Sequence, residues 1–175
     1  AVLASGIIPA DMRNLVTPVM TFKIKGGALE KKDLAILDAI ASNDWKRPIY
    51  VNYTSLSQIR FDLSPYIVQE GNAFRILPVQ NPNPGKSELV DTEKSFDNLL
   101  HRYSYRGLND PKVYYNSDYK GFIQNHRSSF NDLVTALVDE GNMQKAHEAM
   151  MFNLKTIPDS VVRYDHLTIG VGKSQ

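Results

Sequence analysis

The sequence predicts an α+β fold: a small mixed sheet with a βαβ unit, followed by a C-terminal helical hairpin. Three observations carry this. Val19 to Lys25, VMTFKIK, is rich in strand formers and closes on Gly26-Gly27. Leu34, Leu37, Ile40 and Ala41 recur at helical spacing between Lys31 and Asn43. The last third carries two apolar stripes of helical period, broken at Gly141-Asn142.

The first helix is amphipathic, about three turns long and ends near Asn43, because Pro48 then pushes Arg47 toward extended geometry and starts a strand, Ile49 to Tyr53. Strand, helix and strand in this order form the βαβ unit, with a right-handed crossover if its strands are parallel. LSPYIVQEG reads as a short helical turn with Ser64 as cap and Pro65 at its first position. A strand, Ala73 to Val79, follows Gly71. QNPNPGKSE, Gln80 to Glu88, is a loop by its Asn, Pro and Gly content. A short helix is expected from Thr92 to about His101, and residues 103–117, with their tyrosines and NDP, as an irregular segment.

In the hairpin, Phe122, His126, Phe130, Leu133, Leu137 and Val138 line the first helix. Met143, Ala146, Met150, Leu154 and Ile157 line the second, which Pro158 ends. Phe130 and Leu133 return as Tyr164 and Leu167 after one tetratricopeptide period of about 34 residues. Gly141 falls at the turn and Ala146 where two helices approach closely. The hairpin is therefore tetratricopeptide-like, with Val134 and Asn153 departing from the usual small residues. The expected organisation is an α/β domain over residues 1–117, then a hairpin and the start of a second repeat over residues 118–175. Since about three repeats are needed for an independent solenoid, the hairpin is expected to lean on the α/β part or to continue in a longer chain.

The 175 residues are enough to bury a core, and 42% hydrophobic against 22% charged is ordinary for a globular chain. Lys and Arg number 20 against 19 for Asp and Glu, and the cations are scattered, which speaks against a nucleic-acid partner. No cysteine is present, so disulfides and thiolate chemistry are excluded, and cytoplasm and periplasm fit equally. No stretch has the roughly 20 apolar residues that span a bilayer.

Catalytic signatures are not found. GVGKS, Gly170 to Ser174, and PGKS, Pro84 to Ser87, lack the upstream glycine of a phosphate-binding loop and read as turns. The four histidines, His101, His126, His147 and His166, form no ligand pair, so neither a metal nor a cofactor is expected. His126 reads as a hydrogen-bonded histidine at the core's edge. Asp33, Asp38 and Asp44 read as the solvated face of a helix, and no nucleophile elbow occurs. Asn52-Tyr53-Thr54 matches the N-glycosylation sequon but falls in an expected strand.

The aromatic residues remain as binding candidates. Trp45, Tyr50 and Tyr66, with the set Tyr103, Tyr105, Tyr114, Tyr115 and Tyr119, could stack on sugars or peptides, helped by Arg47 and Arg75. The plainer reading is that these rings fill the seam between sheet and helices.

LDAIASNDWKRPIY, Leu37 to Tyr50, resembles a stretch of large Bacteroidetes membrane proteins related to protein O-mannosyltransferases. LASGIIPADM, PYIVQEGNAFRILPV, FDNLL, NDPKVY and NHRSSFNDLVTALVDEG agree in order, so the resemblance covers nearly the whole chain. It implies the soluble C-terminal region of a multi-span, glycosyltransferase-C-type protein, facing the periplasm and ending in tetratricopeptide-like helices. The glycosyl-transfer chemistry would then belong to membrane-embedded residues elsewhere in the parent. Trp45, Arg47, Tyr50, Tyr66, Glu70 and Arg75 are carried over as family-typical positions without a catalytic role; Val51 departs from the aromatic usual after RPIY.

The expected function is thus a non-catalytic extracytoplasmic domain that binds a protein or glycan partner and meets the membrane only through spans of its parent. The alternatives are a helical-repeat adaptor for another protein and a small hydrolase whose Asp and His residues converge in a cleft.

Overall fold

A computed structural model describes residues 6–164. The start of the second repeat at Leu167 and the GVGKS turn lie outside them. The described residues divide into two compact units, one of residues 6–69 and 73–91, the other of residues 70–72 and 92–164. This division falls at Asp91 and Thr92, upstream of the 117/118 boundary read from sequence, because the short helix after Thr92 packs with the long helix of its own unit.

The first unit opens with a 3-10 turn, Ala10–Leu15, and holds helix α1, Lys31–Asn43. Four short strands follow: β1, Tyr50–Val51; β2, Ile67–Gln69; β3, Phe74–Ile76; and β4, Leu89–Val90. They form a mixed sheet in the order β1-β3-β2-β4, antiparallel except for the parallel pair β2–β4. Alternation sends Ile67 to one core cluster, with Ile40, Phe61, Leu63, Phe74 and Ile76, and Val68 to another, with Ile8, Met12, Leu77 and Val79. The α+β class and the mixed sheet stand as expected.

The βαβ unit does not. Val19 to Lys25 makes a single antiparallel bridge, Ile24 to Phe61, and no ladder, so no crossover is closed around α1. The expected strand Ile49 to Tyr53 is cut to two residues because the Asn52 side chain accepts the Ser55 N–H at 2.8 Å and caps a short helix, α2, Tyr53–Gln58. The sequon asparagine is therefore an exposed helix cap rather than a strand residue. Pro65 starts only a 3-10 turn, Ser64–Tyr66, after which Ile67–Gln69 pairs as β2 where a helical turn was expected.

Asp33 is also corrected. It is fully buried at the start of α1, accepting the N–H of Arg60 at 3.0 Å and of Glu30 at 2.8 Å. The Arg60 N–H, the larger cause, and the Glu30 N–H hold its carboxyl below the usual range despite burial.

The second unit contains α3, Thr92–Asp97, running into one π turn, Asn98–Arg102, and a hairpin of α4, Ser117–Asp139, and α5, Met143–Thr156. Asn116 and Asn142 cap the hairpin helices, and Gly141, with φ at +77°, makes the turn. Both apolar stripes are met in part: Phe130, Leu133, Leu137, Ala146 and Ile157 are buried as expected, and the remaining apolar positions are not. Ile123, Phe130, Leu133 and Leu137 are buried on α4 and Ala146, Ala149 and Asn153 on α5, with Ile157 just beyond its end, while Phe122, Val138, Met143, Met150 and Leu154 are exposed. Close approach selects the small side chains of Ala146 and Ala149 for the contact and turns the longer methionines outward.

Arg127, in the middle of α4, is buried where α5 ends. Its guanidinium donates to Ile157 C=O at 2.9 Å, to the carbonyls of Pro158, Val162 and Arg163, and to Gln124 Oε1, and it stacks over the Tyr164 ring at 4.1 Å. One cation thus satisfies the carbonyls left over where α5 ends. Tyr105 lies edge-on or tilted to His126, Phe130 and Phe152 at 5.9–6.0 Å and donates to Leu99 C=O at 2.8 Å. Burial lowers the pKa of His126, whose Nδ1 has no hydrogen-bond partner among the described residues, contrary to the expected hydrogen-bonded histidine.

Candidate functional site

The first unit contains a pocket of about 670 Å³, within the range of small-molecule and side-chain sites. One wall is α1, through Leu37, Ile40 and Ala41. The other is the chain from Val16 to Phe22, with Pro78 beside it, and Trp45 completes the lining.

Two local features build this site. The first is the extended chain itself, whose side chains alternate: Met20 and Phe22 line this pocket, whereas Val19, Thr21 and Lys23 line a second, more polar one on its other side. The strand-like pattern of VMTFKIK is thus real at the level of side-chain direction, though it forms no ladder. Tyr66 secures it. The buried hydroxyl accepts the Thr21 N–H at 2.7 Å and donates to Thr21 C=O at 3.1 Å, with its ring 5.3 Å from Phe22.

The second feature is the turn that presents Trp45. Asp44 and Trp45 are the two non-glycine residues among those described with positive φ, +52° and +56°. Such geometry costs about 1–3 kcal/mol per residue, and it clusters at binding sites. The Asn43 side chain holds the turn, donating to Arg47 C=O at 2.9 Å and accepting the Arg47 N–H at 3.0 Å. The result is a half-buried indole in the lining of an apolar pocket.

The other sequence candidates do not join Trp45. Arg47 is exposed and contributes its backbone to the turn. Tyr50 and Arg75 are cross-strand neighbours in β1 and β3, and Tyr66 lies beneath the extended chain and faces the second pocket. Glu70 belongs to the other unit, where it is buried and paired with Lys94 at 2.9 Å. The pocket-lining residues that sequence reasoning missed are Met20, Phe22, Leu37 and Ile40. Their signal was present in the alternation of VMTFKIK and the apolar stripe of α1, but both patterns read equally as core.

The pocket wall is chemically plain: it can bury an apolar or aromatic group against Trp45, and it presents no titratable side chain among its lining residues. Among the described residues no three His, Asp or Glu side chains gather as a metal site. None of the described helices is long and apolar enough to cross a membrane.

No curated protein and no solved structure matches the chain. The family model of TMEM260-associated domain 2 matches residues 1–94, more than half of the 175-residue chain and the stretch that contains every residue of the Trp45 pocket. The chain belongs to the TMEM260-associated domain 2 family.

Proposed function

We propose that this chain is a non-catalytic, extracytoplasmic accessory domain of a membrane glycosyltransferase-like parent, and that it works by binding a partner or substrate at the Trp45 pocket. Membership of the TMEM260-associated family supports the accessory role, and the resemblance to protein O-mannosyltransferase-like proteins supports the chemistry of the parent and a periplasmic setting. The observation that carries the binding role is the half-buried Trp45 ring, held by a strained turn in the lining of a pocket of about 670 Å³.

Because Trp45 is the chain's one tryptophan, its emission reads this pocket directly. Hexanol and phenyl glycosides are expected to shift that emission saturably, and the chain alone is expected to transfer no sugar from lipid-linked donors to acceptor peptides. Robust transfer by the isolated chain overturns the accessory reading; an emission unmoved by any apolar probe overturns the binding one.

A second reading, an adaptor built on tetratricopeptide-like helices, is favoured by one observation: Met143, Met150, Met151 and Leu154 leave α5 with an exposed apolar stripe. Substituting Met150 and Leu154 by lysine separates the two readings, since partner capture through α5 would be lost while the Trp45 response stayed intact.

A further inference from the structure

Between Thr17 and Lys25 the chain's long-range backbone bonds come from alternate residues. Thr17 N–H reaches Pro78 C=O at 2.9 Å, Tyr66 clasps both groups of Thr21, Asp62 N–H reaches Lys23 C=O at 2.8 Å and Lys25 N–H reaches Arg60 C=O at 2.6 Å. Val16 N–H turns back to Arg13 C=O at 3.5 Å where the 3-10 turn ends, and both backbone groups of Val19 bond the Thr17 hydroxyl; from Val19 to Lys25 the residues bonded are odd-numbered. In extended chain successive residues direct their N–H and C=O groups to opposite edges, so Met20 and Phe22 direct theirs outward. Neither has a hydrogen-bond partner among the described residues. The edge bearing these unpaired groups belongs to the very residues whose side chains line the Trp45 pocket.

The sequence around this edge also carries charge of one sign. Between Met12 and Leu29 the sequence holds Arg13, Lys23 and Lys25 and no acidic residue. Lys25 pairs with Asp62 at 3.6 Å, whereas the exposed Arg13 and Lys23 have no ion-pair partner among the described residues. Arg13 lies in the 3-10 turn before the extended stretch, and Lys23 directly follows Phe22.

We propose that the outward edge of Met20 to Phe22 is a docking site for an extended strand of a partner polypeptide, which pairs with these backbone groups, seats one apolar side chain against Trp45 and carries acidic residues on both flanks. An added strand supplies affinity through its main chain and specificity through the pocket that takes alternate side chains, and the cations select the flanks by charge. A glycan would not need the row of unpaired backbone groups, and a lipid chain would not match its donors and acceptors. The inference rests on the reading of the Trp45 pocket as the binding face.

The test titrates the full 175-residue chain with capped peptides in which leucine alternates with threonine between pairs of glutamates. Trp45 emission and the amide signals of Met20 and Phe22 are followed. The glutamate-flanked peptide is expected to bind saturably and to protect both amides from exchange. Lysine flanks, or Arg13→Glu with Lys23→Glu, are expected to weaken binding by about tenfold or more. The double variant should then prefer the lysine-flanked peptide, a swap that loss of folding cannot produce.

Equal binding by a peptide N-methylated at alternate amides overturns the strand pairing, and absence of peptide binding overturns the inference altogether. Hexanol in the same assay separates the two levels. If it shifts Trp45 while the peptides do not, the pocket survives and the docked strand fails; if it also does nothing, both fail.

Discussion

The Tyr66 hydroxyl holds Thr21 by both backbone groups, accepting its N–H at 2.7 Å and donating to its C=O at 3.1 Å. This clasp ties the residue before β2 to the wall of the Trp45 pocket across 45 residues of sequence. Tyr66→Phe keeps the buried ring but leaves Thr21 without a protein partner. The expected loss is about 1–3 kcal/mol, with Trp45 emission shifted as Phe22 loosens. Thermal melting and fluorescence of the variant check this; unchanged values for both would show that the clasp does not hold the wall.

Asp44 occupies the left-handed region at φ +52°, where glycine carries no side-chain penalty. Its ion pair with Lys46 is exposed and adds little. Asp44→Gly is therefore expected to stabilise the chain by about 1 kcal/mol, read as a rise in melting temperature. A loss would mean that Asp44 has a contact that outweighs the strain.

Gly71, at φ +91°, sits under Tyr103: an added Cβ would lie 2.7 Å from Tyr103 Oη and 3.1 Å from Asn98 Cβ. Its N–H donates to the buried Ser95 Oγ at 2.9 Å, so the backbone cannot easily retreat. Gly71→Ala is expected to destabilise its unit by about 2–4 kcal/mol. Adding Tyr103→Phe removes the nearest atom and should recover part of that loss, while the part due to φ persists. Chemical denaturation of the single and double variants measures both.

Acid should destabilise the fold in two steps. Burial lowers the pKa of His126 below 6.5, so the unfolded chain takes up its proton first. The stability due to neutral His126 is complete above pH 6.5 and is lost as pH falls through that value toward the folded one. Asp33, whose folded pKa is depressed from 3.8 by the Arg60 N–H, contributes above 3.8 and loses that contribution only below it. His126→Phe should therefore flatten the upper step and leave the lower one, as followed by melting temperature against pH.

The sequence made the long helices legible because their evidence is repeated. Helix α1 has several apolar residues in register and ends at Asn43 as read, and the hairpin has two such stripes with a Gly-Asn break. Strands of two or three residues carry no comparable signal. Ile67–Gln69 was hidden because Pro65, which suits the first position of a helix, precedes it.

The faces of α4 and α5 misled for a different reason. Ala146 was legible as the small residue at the close approach, but hydrophobicity ranks methionine above alanine, so Met143 and Met150 were read inward in place of Ala149, and Arg127 is buried through hydrogen bonds that no pattern of apolar positions reveals. At the site, Trp45 could be singled out as the lone tryptophan before a proline. The clasp by Tyr66 and the outward backbone edge could not, since both depend on contacts between residues far apart in the chain.

The most direct test of the Trp45 pocket as a binding face is an amide and indole NMR titration of the chain with the glutamate-flanked leucine–threonine peptide. The expected result is saturable shifts concentrated at the Trp45 indole and at the amides of Met20 and Phe22, with α4 and α5 unaffected. Shifts confined to Met143, Met150 and Leu154, with Trp45 silent, would contradict the account.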